Sequence, residues 1–259
     1  MRLSPDGYFY LAAARREPVP RPYAHRWLLP FLLGPDPRRW AALTYVSLLA
    51  TPAAAWFYFG AMGLVGWPRA FATALLCVLP GVRACSLRYP VLVDAASFLW
   101  ALSLAEAAKT SPAWFVIPWA LIGGAMNEKV PIFAALWSWS PLPLVGLLGV
   151  GWSRPHALTE IPWLAHPARE AWKLRRALGL DGSLYLRPFG AALAGLAAPS
   201  WQLVATVLVA HTQLLAAQDT IRLTVWCAPV LVLGAARTLP PALWPLAVLV
   251  TAVHRDDRV

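Results

Sequence analysis

Eight ionisable residues stand among, or at the edges of, strongly apolar runs: Asp6, Arg26, Arg88, Asp94, Glu128, Lys129, Asp219 and Arg222. A carboxylate so placed can take up a proton, and a guanidinium can bind two phosphate oxygens at once. An ionisable group at bilayer depth costs several kcal/mol, so it points to function by default. Helix ends also collect charges for dipole and capping reasons, and Asp94 and Asp219 fit that simpler account. It explains less well a Glu128-Lys129 pair between two apolar helices, or Arg26 within "HRWLLP".

The chain that must position these groups has 259 residues, of which 59% are hydrophobic and 13% charged. Soluble domains carry about 25% charged residues. Half that charge leaves too little polar surface for a soluble globule, so the composition implies a polytopic helical membrane protein. Fifteen Trp suit the membrane–water interface, and 25 Pro are tolerated where neighbouring helices satisfy broken backbones. The formal net charge of +10 is assigned to lipid headgroups, lipid-phosphate ligands and topology signals rather than to nucleic acid. Cys77, Cys85 and Cys227 show no metal-binding spacing and read as small apolar residues. The Arg-rich first 25 residues lack the central apolar stretch of a cleaved signal peptide.

The expected fold is all-α, with seven to eight membrane segments in one integral domain spanning 1–259. Residues 1–39 form an amphipathic N-terminal segment, with a short helix over 8–16 and an interfacial helix over 25–34 broken by Pro30. Apolar segments follow at 40–65, kinked at Pro52, and at 70–82, 90–108, 113–126, 130–152, 191–217, 223–236 and 239–253. The 153–188 loop is the one long polar stretch, and "HPAREAWKLRRALGL" within it reads as an amphipathic helix on a membrane surface. Alternating the crossings puts Asp6, Arg26, Arg83, Arg88, Asp94, Glu128, Lys129, Asp219 and Arg222 on one face. Basic residues occur on both faces, so charge bias leaves the orientation open.

Four strings, in this order, carry a resemblance: "SPDGYFYLAAARREPVPRPYAHRWLLPFLLG", "RYPVLVDAASFLWALSLA", "GGAMNEKVPIFAALWSW" and "QDTIRLTVWCAPVLVLGAARTLP". Together they resemble bacterial polytopic membrane proteins related to GT-C-type glycosyltransferases. The resemblance implies an enzyme of the plasma (inner) membrane that takes sugar from a polyprenyl-phosphate donor. It implies Asp6 as the catalytic loop acid, Arg26 as the arginine of an Arg-x-Leu-x-Pro element, and Asp219 and Arg222 as a late Asp-x-x-Arg pair. Arg26, Asp219 and Arg222, with Arg88, Asp94, Glu128 and Lys129, make up the expected substrate-binding set. "PDGYFY" has one carboxylate where the family pattern has two, which weakens a metal-assisted mechanism; no cofactor is assigned, and a divalent cation stays open. The resemblance further implies a membrane helix ahead of this loop, and the expectation is a form shortened at its N-terminus. Two other readings stand beside it. The Pro- and Gly-interrupted spans suit a transporter, and the single loop acid suits a non-catalytic membrane partner in cell-envelope assembly.

Overall fold

A computed structural model of the chain describes residues 3, 5–19, 23–80, 82, 87, 90–150, 189–212 and 225–253. Among them the secondary structure is entirely helical. Contacts gather the chain into two compact units, Met1–Met62 with Ser86–Glu160, and Gly63–Cys85 with Ile161–Val259. The basic amphipathic helix expected within 153–188 lies outside the described residues.

The first unit begins with α1 (Pro5–Ala14), a 3-10 turn (Tyr23–His25) and α2 (Leu28–Leu33). Pro30 does not break the second of these helices. It sits in the first turn, where a missing N–H removes no intrahelical bond. The long helix α3 (Pro37–Ala61) starts at an Asp36 cap whose carboxylate accepts the Arg38 N–H at 2.9 Å. Pro37 supplies the preset φ of a first helical position. The helix continues through Pro52 to Ala61.

The two faces of α3 differ in kind. Trp40, Ala41, Thr44, Ser47, Thr51, Ala55, Tyr58 and Phe59 are buried. Arg38, Arg39, Ala42, Tyr45, Val46, Leu49, Ala53, Trp56 and Phe57 are exposed, at the three- and four-residue spacing of one helical stripe. The buried face packs on α5 (Asp94–Thr110), and the Thr44 hydroxyl donates to the Pro90 carbonyl at 2.7 Å. Next comes α6 (Ala113–Met126), set against α5 by the Trp100 and Trp119 rings, stacked 4.0 Å apart. The Trp100 indole N–H also donates to the Trp119 carbonyl at 2.9 Å.

The expected single span over 130–152 is two pieces. Helix α7 (Lys129–Ser138) ends at Trp139, whose φ of 52° is left-handed, and a 3-10 helix (Leu142–Gly149) follows after Pro141. That 3-10 helix crosses α6 where Gly124 meets Gly146, so closely that a Cβ on Gly124 would collide with the Gly146 carbonyl. Only glycine allows this approach.

In the second unit α4 (Gly66–Val78) packs with α9 (Ala228–Thr238) and α10 (Trp244–Val253). Residues 228–236 of α9 are all buried, as expected of a helix apolar on every side. A 3-10 helix (Gly190–Ala197) lies against α9 at Gly195 and Gly234, and Phe71 stacks on Trp244 at 4.9 Å. The span expected over 191–217 divides into this 3-10 helix and α8 (Trp201–Thr212), separated at Pro199-Ser200.

Among the described residues one helix, α3, is long and apolar enough to cross a bilayer. The other apolar helices, α6, α8, α9 with the 3-10 turn before it, and α10 with its own, are 10–17 residues long.

Candidate functional site

The N-terminal segment meets the α6–α7 turn at a polar corner inside the first unit. Helix α1 carries Asp6 in its first turn and Tyr10 one turn later, on the same face. The Tyr23–His25 turn then brings Tyr23 over α1, where its ring stacks on Phe9 at 4.8 Å and meets Tyr10 edge-on at 5.2 Å. The Tyr23 hydroxyl donates to Asp6 Oδ1 at 2.6 Å. Tyr10 in turn packs its ring against Trp40 of α3, 5.5 Å away.

Arg26 follows this turn and is 6% exposed. Its Nε donates to Glu128 Oε2 at 2.9 Å and its Nη2 donates to Glu128 Oε1 at 2.5 Å. Its Nη1 donates to the Tyr10 hydroxyl at 2.7 Å. Two parallel N–H bonds to one carboxylate make the pair both strong and directional. Arg26 and Glu128 are 102 positions apart in the chain, so the pair holds the N-terminal segment to the α6–α7 turn.

The turn itself is built by Asn127, which is fully buried. Its side-chain oxygen accepts the Lys129 N–H at 3.1 Å, and its amide donates to Ser97 on α5 at 3.2 Å. The short side chain thus replaces a helical bond at the head of α7. Behind it, the Trp27 indole donates to the Gly149 carbonyl at 3.3 Å.

Burial works against ionisation of Glu128, but the Arg26 charge and hydrogen bonds, aided by Lys129, overcome it and hold the carboxyl down at about 2. Tyr23 is affected in the opposite sense. Burial, then the hydrogen bond to Asp6 and its charge, raise the hydroxyl well above its ordinary value of 10.0. At neutral pH the corner holds a charged Arg26–Glu128 pair and a protonated Tyr23 directed at Asp6.

Of the expected site residues, Arg26 and Glu128 are in direct contact. Lys129 adjoins them, half-buried at the head of α7. Asp6 joins the cluster through Tyr23 and Tyr10. Asp94 opens α5, three residues before the Ser97 that binds Asn127. Arg88, Asp219 and Arg222 lie outside the described residues, as does any shared cavity formed with them. The guanidinium expected to face a phosphate is engaged by Glu128 and Tyr10.

Sequence reasoning missed Tyr10, Tyr23, Ser97 and Asn127. Tyr10 had a usable signal, being four residues after Asp6 on a helix. Asn127 had another, as an Asn immediately after the last apolar residue of α6. The corner does not suit a divalent cation. Both Glu128 oxygens accept from Arg26, Asp6 faces a hydroxyl donor, and no three His, Cys, Asp or Glu side chains come together among the described residues. Comparison with protein-family models, with curated proteins and with solved structures finds no match to this chain.

Proposed function

We propose that this chain is a multi-pass protein of the plasma (inner) membrane with GT-C-type glycosyltransferase character, using a lipid-phosphate-linked sugar as donor. The observation that carries the membrane part is the outer face of α3. A core helix of a soluble protein is mostly buried, whereas 39% of the most apolar window of α3 is buried and its outward stripe is apolar from Ala42 to Phe57. Arg38 and Arg39 bound that stripe at one end, as basic residues do at the edge of a hydrocarbon layer. The remaining apolar runs join α3 in the bilayer as shorter segments.

The catalytic part rests on the same unit. Asp6, oriented by Tyr23, removes the proton from an acceptor hydroxyl as its oxygen bonds to the sugar carbon. The bond from that carbon to the lipid phosphate breaks, and the phosphate leaves with the electron pair. Positive charge beside it stabilises the departing anion, and Lys129 at the head of α7 supplies that charge. Arg26 acts here by position, since its fork is held by Glu128.

The test is transfer from radiolabelled polyprenyl-phosphate sugars by the purified full chain, with Asp6→Asn compared at equal folding. Loss of at least a hundredfold in kcat is expected for removal of a general base. Transfer at the native rate by Asp6→Asn refutes the assignment.

A second reading has one observation in its favour. A single loop carboxylate beside an arginine already neutralised by Glu128 also suits a non-catalytic membrane partner of cell-envelope assembly. Absence of transfer with every polyprenyl-phosphate sugar tried, with the fold intact, selects it.

A further inference from the structure

Helices α6 and α7 are too short to be two crossings. With 14 and 10 residues they rise about 21 Å and about 15 Å, against a hydrocarbon core of about 30 Å. The ends away from their common turn each carry an exposed Trp, a side chain enriched at the membrane interface. Trp114, at the start of α6, is 75% exposed, and Trp139, just after α7, is 57% exposed. The turn between them is more enclosed, with the Glu128 side chain 27% exposed. Asn127 is fully buried, its amide and carbonyl are met by Ser97 and the Lys129 N–H, and Glu128 is met by Arg26. A turn emerging into water on the far side would have solvent for these partners. Here each partner is protein, the condition under which broken helix is tolerated at membrane depth.

The other end of α7 is fixed independently. The Tyr58 hydroxyl, one turn from the end of α3, donates to the Trp137 carbonyl at 3.4 Å. The chain then leaves α7 through the left-handed Trp139. The helix therefore ends near the end of the membrane-length helix, and ten residues back from there cannot reach the opposite face.

We infer that α6–α7 is a re-entrant hairpin. It enters and leaves on the face that holds the end of α3, and its tip, Asn127-Glu128, stops inside the protein and is closed by Arg26 of the N-terminal segment. This rests on the membrane reading above. It replaces the two crossings expected at 113–126 and 130–152 with a hairpin that exposes Ser140 on the same face as Ser111. The polar corner then joins the tip of the hairpin to the N-terminal segment, which supplies Arg26, Tyr10 and Tyr23.

The test is cysteine labelling of the full chain in oriented proteoliposomes with a membrane-impermeant maleimide. Cys77, Cys85 and Cys227 are first replaced by Ser, and Arg38→Cys, Ser111→Cys and Ser140→Cys are then made singly. The expected result is labelling of Ser111→Cys and Ser140→Cys from one face at rates within tenfold, and of Arg38→Cys from the other. Trp139→Cys, at a more exposed position, repeats the measurement should Ser140→Cys misfold. Protection of positions 139 and 140 by more than tenfold relative to 111, or labelling from opposite faces, overturns the hairpin while leaving the membrane reading intact. If carbonate washing releases the chain and all positions label without sidedness, the membrane reading itself fails, and the hairpin with it.

Discussion

Removing the negative charge of Glu128 leaves a guanidinium that is 6% exposed without its counter-ion. Breaking a buried pair from one side costs roughly 3–5 kcal/mol. The same pair holds the Glu128 carboxyl below its ordinary value of 4.5, so the folded state favours its ionised form. The Glu128 side chain is 27% exposed, which favours the lower end of the range. Glu128→Gln is therefore expected to lower stability by about 3 kcal/mol, on the order of a hundredfold in the folded-to-unfolded ratio. Arg26→Gln costs less, about 2 kcal/mol, because water can reach the carboxylate it abandons. The double variant should recover about 1–2 kcal/mol of the summed loss, the sign of direct coupling. Reversible unfolding in mixed detergent micelles reads all three. The acid limb gives an independent check. The folded carboxyl has the lower pKa, so the pair's contribution is whole above about 4.5 and is lost as pH falls towards about 2. The gap between wild type and Glu128→Gln should close across that window. Single costs that add within about 0.5 kcal/mol, or a gap that does not change with acid, refute the reasoning.

Tyr23→Phe removes the donor to Asp6 and should cost about 1.5 kcal/mol, as for a hydrogen bond to a charged group. Because the folded hydroxyl titrates above its ordinary value, wild-type stability should fall as pH rises past 10.0, and the variant should lose that alkaline slope. Gly124→Ala drives a methyl into the Gly146 carbonyl, which belongs to backbone and cannot rotate away. A loss of about 1–3 kcal/mol is expected, with the 3-10 helix displaced from α6. Gly195→Ala meets the Leu231 carbonyl in the same way and should cost a similar amount, with thermal unfolding reporting both.

Local chemistry made much of the helical layout readable. Pro112 before an apolar run and Asn127 after it bound α6 at the residues anticipated, 113 and 126. Asp36-Pro37 starts α3 three residues earlier than its apolar run suggests, because capping and proline outweigh the polarity of Arg38 and Arg39. The stretch from 130 to 152 was misread as one segment. Hydropathy sees a continuous apolar run there, whereas the backbone turns left-handed at Trp139 and resumes as a 3-10 helix after Pro141. In the site, the sequence singled out Arg26 and Glu128 because each is an ionisable group in apolar surroundings.

The sequence by itself determined that the chain is helical, that its helices are apolar, and where α6 and α7 begin. Those properties follow from neighbours within one or two turns. Only the tertiary structure decided what Arg26 does. Its partner lies 102 residues away and its second contact, Tyr10, 16 residues away, distances over which no periodicity carries information. An arginine in an apolar segment must have its charge met, but nothing local says whether a ligand or the protein meets it. Here the fold folds Glu128 onto the guanidinium, and a group that reads as a phosphate ligand becomes the tie between the N-terminal segment and the tip of α6–α7.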